Sequence, residues 1–526
     1  MNANRLPRCL LICWAGLLLG LLALPCLPVL LSCGACLLRP LLDRWRGGQS
    51  TSAQQLRLVR CASLAQWLQP AVRQRVFLGF GGVWMPAHSQ ALQAWPGQTG
   101  GLRCGPAHQA RARPVDCAQV LLTRNVMALG APGSGKSSLC VLLAWQAQRR
   151  GEPVIVLDPK GSRSLHALLL EGARHAGRPF LAVLPAQPDR SAAWNPLALC
   201  DSAAELATRV CSLIEGQESD PFRQFCWGAV LVIAETLQAL DRPVTLAILR
   251  QHVDDAGEQL LAVALARPGV APSTLAALRA LVGHDRVHYR KMSAPLLPVL
   301  ALLCSGALGA LLAGAGQPRP CLSVDALRRQ GLTLYVGLDT LGNPALGRAL
   351  ATLLLQDLAA EAARCTARGG VVRPLQLMVD EAAELACPAL LQLLGKGREA
   401  GVSVLLAVQT LADLEWRMGS AAAARVAEGN ATAWFLFRQL DAISRRESEA
   451  RLGLLPAERA SQSQGVVESQ SGLIQRRARS HSHSVTRESM PRIPEAAFMA
   501  LADLECLAQM PDGELLHLRL PCPVVA

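Results

Sequence analysis

At 526 residues the chain is long enough for two to four domains, and its 51% hydrophobic content and mean hydropathy of +0.26 are high for a purely soluble protein. The net charge of +13 favours a polyanionic partner or an anionic membrane surface. Its 18 cysteines are scattered without a ligand framework, and the C-x-x-C pair Cys33 and Cys36 lies in an apolar run, which argues against zinc or redox chemistry and for a reducing cytoplasm around the bulk of the chain.

From Cys9 to Leu38 no residue is charged, and Arg5, Arg8, Arg39, Arg44 and Arg46 flank the run. One helical span needs about 20 apolar residues, so residues 1–46 read as a membrane anchor. Pro25 and Pro28 break the run near its middle, which allows one long span or two short ones. Arginines on both sides leave the orientation open. A cleaved signal peptide is the rival reading. Residues 47–118 form a mixed N-terminal α/β extension rich in Gln, Gly, Pro and Trp, with a strand and turn at Phe77–His88.

Val120–Leu122 and Val126–Leu129 read as strand, and the residues after Ser137 read as a buried helix. Between them run Gly130, Ala131, Pro132, Gly133, Ser134, Gly135, Lys136 and Ser137, followed by Ser138. This is G-x-x-x-x-G-K-S in the strand–loop–helix setting that a phosphate-cradling loop requires. Glycine lets the backbone wrap a phosphate chain closely, and free N–H groups at the helix start point at the anion. Lys136 would reach the β- and γ-phosphates, and the Ser137 hydroxyl would ligate Mg²⁺. The chain holds four lysines against 48 arginines, yet a lysine stands where a compact ammonium is needed. Export would part such a site from ATP, so a retained anchor is preferred to a cleaved signal.

Val154–Asp158 is a second, unalternating apolar strand, as a buried parallel strand should be. It runs into Pro159–Lys160–Gly161 at its carboxyl end, where α/β sheets place ligand contacts. Residues 119–198 therefore read as the first part of an α/β nucleotide-binding domain. Residues 199–292 read as successive helices without an intervening strand, an all-α insertion. The apolar run Pro295–Ala315 contains Pro298 and glycines, and reads as buried core rather than a membrane span. Residues 293–455 complete the α/β domain, with strands at Leu332–Leu338, Leu375–Val379, Val402–Val408 and Trp434–Phe437. Over residues 456–526, Ser461–Met490 is rich in Ser, Gln and Arg and reads as a loop or a disordered segment; a possible helix and a strand close the chain at Leu501–Leu520.

Hydrolysis needs more than a phosphate loop. Asp380 ends an apolar strand, where a carboxylate can hold Mg²⁺ through water. Glu381 follows, placed to orient and deprotonate the attacking water. Gln409, after the next strand, could sense the γ-phosphate. Arg398, supplied by a neighbouring subunit, would neutralise charge on the γ-phosphoryl oxygens, although by itself an arginine there is by default a surface salt bridge.

The set GAPGSGKSS, VIVLDPKGS, WNPL (Trp194–Leu197), LQLMVDEAAEL and GKGREAGVSVLLAVQTLADLE resembles the TraD-type coupling proteins of bacterial conjugation, of the TraG/TraD class. LGFGGVWMPAH, the run Glu215–Phe225, TLYVGLDTLGNPALGRAL and RMGSAAAARVAEGNATAWFLFR are similar to the subgroup carried by integrative elements. The likeness covers about residues 75–455. It implies a RecA-like P-loop NTPase domain with a mostly parallel sheet, an inserted all-α domain and an N-terminal transmembrane anchor. It implies ATP and Mg²⁺ as cofactors, with Lys136 and Ser137 on phosphates and metal, Asp380 on the metal, Glu381 on the water, Arg398 as the trans arginine and Gln409 as the family's glutamine. It also implies an inner-membrane hexamer that handles single-stranded DNA without reading sequence, and that brings a relaxase–DNA complex to type IV secretion components. The family's anchor is commonly two well-separated spans, whereas here both must fit between Cys9 and Leu42. Arg279, Arg286, Arg290 and Lys291, and Arg476, Arg477 and Arg479 in the tail, are candidates to line a phosphate-gripping pore. Two rivals stand beside this reading: an FtsK-like translocase of double-stranded DNA, and a non-catalytic nucleotide-binding membrane receptor, against which Glu381 argues.

Overall fold

The computed structural model describes residues 58–525, apart from 60, 62–73, 94–100, 109–111, 215, 217–218, 268–269, 315–319, 370–371 and 472–473. The anchor expected over residues 1–46 lies outside the described residues. Among the described residues no helix is long and apolar enough to cross a membrane. The apolar run Pro295–Ala315 is divided between two short helices, Leu297–Leu303 and Gly306–Leu312.

The strands in chain order are β1 (Leu58–Val59), β2 (Arg75–Val83), β3 (Arg113–Ala118), β4 (Asn125–Leu129), β5 (Val154–Asp158), β6 (Phe180–Val183), β7 (Thr333–Gly337), β8 (Leu375–Val379), β9 (Val402–Val408), β10 (Ala431–Leu436), β11 (Leu454–Ser471), β12 (Ile474–Pro491), β13 (Glu505–Gln509), β14 (Leu515–Arg519) and β15 (Cys522–Pro523). One 11-stranded sheet has the order β3-β2-β14-β13-β10-β4-β9-β8-β5-β7-β6. From β10 to β6 neighbouring strands are parallel, and the four strands on the other side of β10 run antiparallel. The parallel strands are mostly apolar and buried on both faces because helices cover both. Alternation still sorts their side chains: Met127, Leu129, Ile155 and Leu157 enter one hydrophobic layer, and Val126, Ala128, Val154 and Val156 the other.

The helix Lys136–Arg150 is buried along most of its length. It stops at Gly151, whose φ of +79° is readily available to glycine and whose N–H caps the carbonyls of Ala147 and Gln148. Between β6 and β7 the chain is helical from Ala203–Cys211 to Gly306–Leu312, a longer helical run than residues 199–292. Arg209 fastens its first helix to the long helix Pro344–Arg368, donating to Asp357 Oδ1 at 2.7 Å and to the Pro196 carbonyl at 2.6 Å.

Two differences from the sequence expectation concern the C-terminal part. Ser461–Met490, expected as a loop or a disordered segment, lies within β11 and β12, which pair in register from Leu454↔Pro491 to Ser471↔Ile474. Each strand pairs the inward-facing backbone groups of the other, so the ladder forms without the apolar face by which sequence announces a strand. The closing residues give two strands, β13 and β14, rather than a helix and a strand, and the short helix Glu495–Ala500 precedes them.

A buried carboxylate locks β13 and β14 to the segment after β2. Glu505 Oε1 accepts from Leu102 N at 2.8 Å, His108 Nε2 at 2.9 Å and His517 Nε2 at 2.7 Å, and Oε2 accepts from Ala502 N at 2.7 Å. His517 Nδ1 accepts from Ala107 N, which leaves the ring proton on Nε2. Burial pushes the Glu505 carboxyl up, but the hydrogen bonds from His108 and His517 outweigh it and hold the group far below the usual carboxylate range. Burial lowers His517 below the usual imidazole value, ahead of the opposing pull of Glu505. Both shifts act in one direction. Below about pH 6.5 the unfolded histidine takes up a proton that folded His517 refuses, and below about pH 4.3 the unfolded glutamate does the same against folded Glu505. Thermal stability is therefore expected to fall as pH drops from 7.5 to 5.5, and Glu505→Ala to cost about 3 kcal/mol at neutral pH, since it strands buried N–H donors. Tm across this pH range, for both proteins, checks both expectations.

Candidate nucleotide site

The carboxyl ends of β4, β5, β8 and β9 bring the candidate residues together. The loop after β4 is tied on both sides, Gly130 N to the Val408 carbonyl at 3.1 Å and Ala131 N to the Arg438 carbonyl at 2.7 Å. A Cβ on Gly130 would stand 2.6 Å from that of Phe437, so only glycine fits. Gly135, at φ +122°, packs against Leu504, whose N–H donates to the Ser134 carbonyl at 2.9 Å. The segment leading into β13 thus braces the loop from below. The Ser134 hydroxyl is buried and has no hydrogen-bond partner among the described residues.

Lys136 is folded back on the loop, its ammonium donating to the carbonyls of Gly130 at 2.5 Å and Ala131 at 3.0 Å. Burial lowers its pKa, opposed by the carboxylates of Glu381 and Asp380. Ser137, at the first turn of the helix, donates its hydroxyl to Asp380 Oδ2 at 2.9 Å. Burial raises the Asp380 carboxyl, and Asp158 and Glu381 add to this against the Ser137 bond. A hydroxyl and a desolvated carboxylate meeting at a helix N-terminus form a hard-oxygen set that fits Mg²⁺ and would gain from its charge.

Glu381 is held from both sides. Lys160 Nζ bonds Oε1 and Gln409 Nε2 bonds Oε2. Its backbone sits at φ +50°, a sparsely populated region for a residue with a Cβ, maintained by the contacts around it. Lys160 is carried by a rigid turn. Asp158 accepts from Lys160 N at 2.9 Å, Ser162 N at 2.6 Å and the Tyr335 hydroxyl at 2.7 Å, while the Pro159 carbonyl accepts from Thr340 N at 2.7 Å.

Lys136, Ser137, Asp380, Glu381 and Gln409 therefore share one site, with the loop residues Gly130–Gly135 over it. Ser138 is the next residue of the helix and makes no side-chain hydrogen bond with the described residues. Arg398 is apart from them. It is exposed in the turn before β9, at the amino end of a strand whose carboxyl end bears Gln409. Its side chain has no partner among the described residues. Lys160, Asp158 and Tyr335 belong to the site but carried no role in the sequence reading. The one available signal was Asp-Pro-Lys-Gly at a strand's carboxyl end. Arg279, Arg286, Arg290 and Lys291 are exposed on the helical region, Arg286 paired with Glu258, and Arg476, Arg477 and Arg479 fall on β12.

Residues 327–521, from before β7 through β14, match the family described as the type IV secretion-system coupling protein DNA-binding domain. Over that stretch the chain is similar to the coupling-protein family. The fold agrees. The chain superposes on the bacterial conjugative coupling protein TrwBdeltaN70 in its unbound monoclinic form with a TM-score of 0.54, at 17% identity over 86% of this chain and 95% of that one. The plasmid coupling protein TrwB gives the same TM-score and identity over 86% of this chain and 96% of its own, both in complex with the non-hydrolysable GTP analogue GDPNP and in complex with ADP and Mg²⁺. No curated protein sequence matches the chain.

Proposed function

We propose that this chain is a coupling protein, a Mg²⁺-dependent ATPase that couples a relaxase–single-stranded DNA complex to a type IV secretion channel. It would act as a membrane-anchored ring of six subunits at the bacterial inner membrane. The carrying observation is the meeting of Ser137, Asp380 and Glu381 beside the ammonium of Lys136. The phosphate loop alone would bind a nucleotide; this constellation has what hydrolysis needs in addition. The nucleotide and Mg²⁺ complexes of TrwB, which share the fold, agree with it.

Ser137 and Asp380 would hold Mg²⁺, which would neutralise phosphate charge. Lys136 would leave the carbonyls of Gly130 and Ala131 for the β- and γ-phosphates, an exchange made easier because two carbonyl dipoles satisfy it less well than phosphate oxygens. The attacking water forms its bond to Pγ while the bond from Pγ to the β–γ bridging oxygen breaks, with the electron pair leaving on ADP. The water proton passes to Glu381 and then to solvent. Gln409, bonded to Glu381 and placed where β9 gives way to the helix Leu411–Met418, would carry the presence of the γ-phosphate outward.

The test is ATP turnover by the full chain in detergent, with and without single-stranded DNA, across protein concentrations. Turnover is expected to rise with both. Stimulation by double-stranded DNA alone would favour an FtsK-like pump. Nucleotide binding without turnover under any of these conditions would favour a receptor.

A further inference from the structure

The Lys160 ammonium occupies Oε1 of Glu381 and the Gln409 amide occupies Oε2, so both oxygens already have a partner in this arrangement. A water that is to be oriented by Oε1 must first displace Lys160. Three observations bear on how that happens. The backbone of Lys160 is fixed by Asp158, Tyr335 and Thr340, whereas its side chain is 57% exposed on a flexible stem. An ion pair with so exposed a partner is weak enough to exchange. Lys136, Lys160, Asp380 and Glu381 also interact electrostatically with one another, so Lys160 lies within the field of the phosphate loop. Finally, it is one of four lysines beside 48 arginines, and a point-charge ammonium can trade one oxygen for another more readily than a forked guanidinium can.

We propose that Lys160 is an exchangeable counter-ion of the site. It holds Glu381 when no γ-phosphoryl group is present, and moves to the γ-phosphoryl oxygens when ATP binds, releasing Oε1 for the attacking water. After hydrolysis and loss of phosphate the pair with Glu381 re-forms, because ADP offers Lys160 nothing in exchange. Water is thus activated only when a triphosphate is seated. Lys160 is a positioning residue toward Glu381 and a recognition residue toward the third phosphate. The inference rests on the ATPase reading.

The test compares equilibrium binding of ADP and of the non-hydrolysable analogue ADPNP, with Mg²⁺, to the full chain and to Lys160→Met and Lys160→Arg. The unsubstituted chain is expected to prefer ADPNP. Lys160→Met should cut that preference at least about tenfold with ADP affinity unchanged, and Lys160→Arg, which keeps the charge but trades oxygens less readily, should retain only part of it. An unchanged preference in Lys160→Met overturns the proposal, as does an equal loss for both nucleotides, which would mean a structural role. ATP turnover of the unsubstituted chain is read separately. If it is absent while Lys160→Met still loses the preference, the hydrolytic reading fails and γ-phosphate recognition by Lys160 stands. A chain that binds neither nucleotide overturns both.

Discussion

Glu381→Gln is expected to lower ATP turnover by about 10²- to 10⁴-fold, the range a positioned general base contributes, with nucleotide binding intact. The substitution is nearly isosteric. Its amide oxygen can still accept from Lys160, and Gln409 can turn its own amide to offer oxygen in place of nitrogen, so the unusual backbone at φ +50° keeps its support. What disappears is the ability to take a proton. Steady-state turnover beside equilibrium binding of ADPNP checks this. Equal turnover in the variant and the unsubstituted chain would remove Glu381 from the chemistry and leave a receptor that binds nucleotide without hydrolysing it.

The parts of the site that could be read from sequence are those carried by consecutive residues. Gly130–Ser137 follows an apolar strand and opens a helix, and Asp380–Glu381 terminates another apolar strand, so each is legible without knowing its neighbours. The Lys160–Glu381 pair is different, since the two residues are far apart in sequence. It exists because β5 and β8 are adjacent, with Val154↔Gln376 and Leu157↔Val379 in register, and nothing local to either strand encodes that adjacency. The same holds for the antiparallel side of the sheet. Leu516↔Val83 and Leu518↔Gly81 pair residues from opposite ends of the chain, and Glu505 reaches His108 across a similar separation. Sequence marks a strand within Phe77–His88 and another within Leu501–Leu520, but not that β2 and β14 are each other's partners. The bracing of Ser134 by Leu504 is a further consequence of that long-range pairing. The β11–β12 hairpin went unread for another reason: its polar composition lacks the one-sided alternation that marks a strand on a core.

Arg398→Ala is expected to reduce turnover by about 10³- to 10⁵-fold, as for other arginines that neutralise charge on a transferring phosphoryl group. Its position in the sheet favours action on a neighbour's nucleotide. Arg398 precedes β9, whose carboxyl end, with Gln409, faces the phosphate loop of the same chain. Seven extended residues separate the two ends of β9 by roughly 23 Å, well beyond the reach of an arginine side chain. The guanidinium is exposed and has no partner among the described residues, so it is free to enter another subunit's site. A mixing experiment then follows. Glu381→Gln subunits lack the base but carry Arg398, and Arg398→Ala subunits lack the arginine but keep the base. Each preparation alone should be inactive. Mixed, they should recover part of the turnover, because an Arg398→Ala site beside a Glu381→Gln subunit again has both groups. Recovery should grow with protein concentration as rings assemble. An arginine working within its own chain would give no recovery at any ratio, since every site would still lack one group.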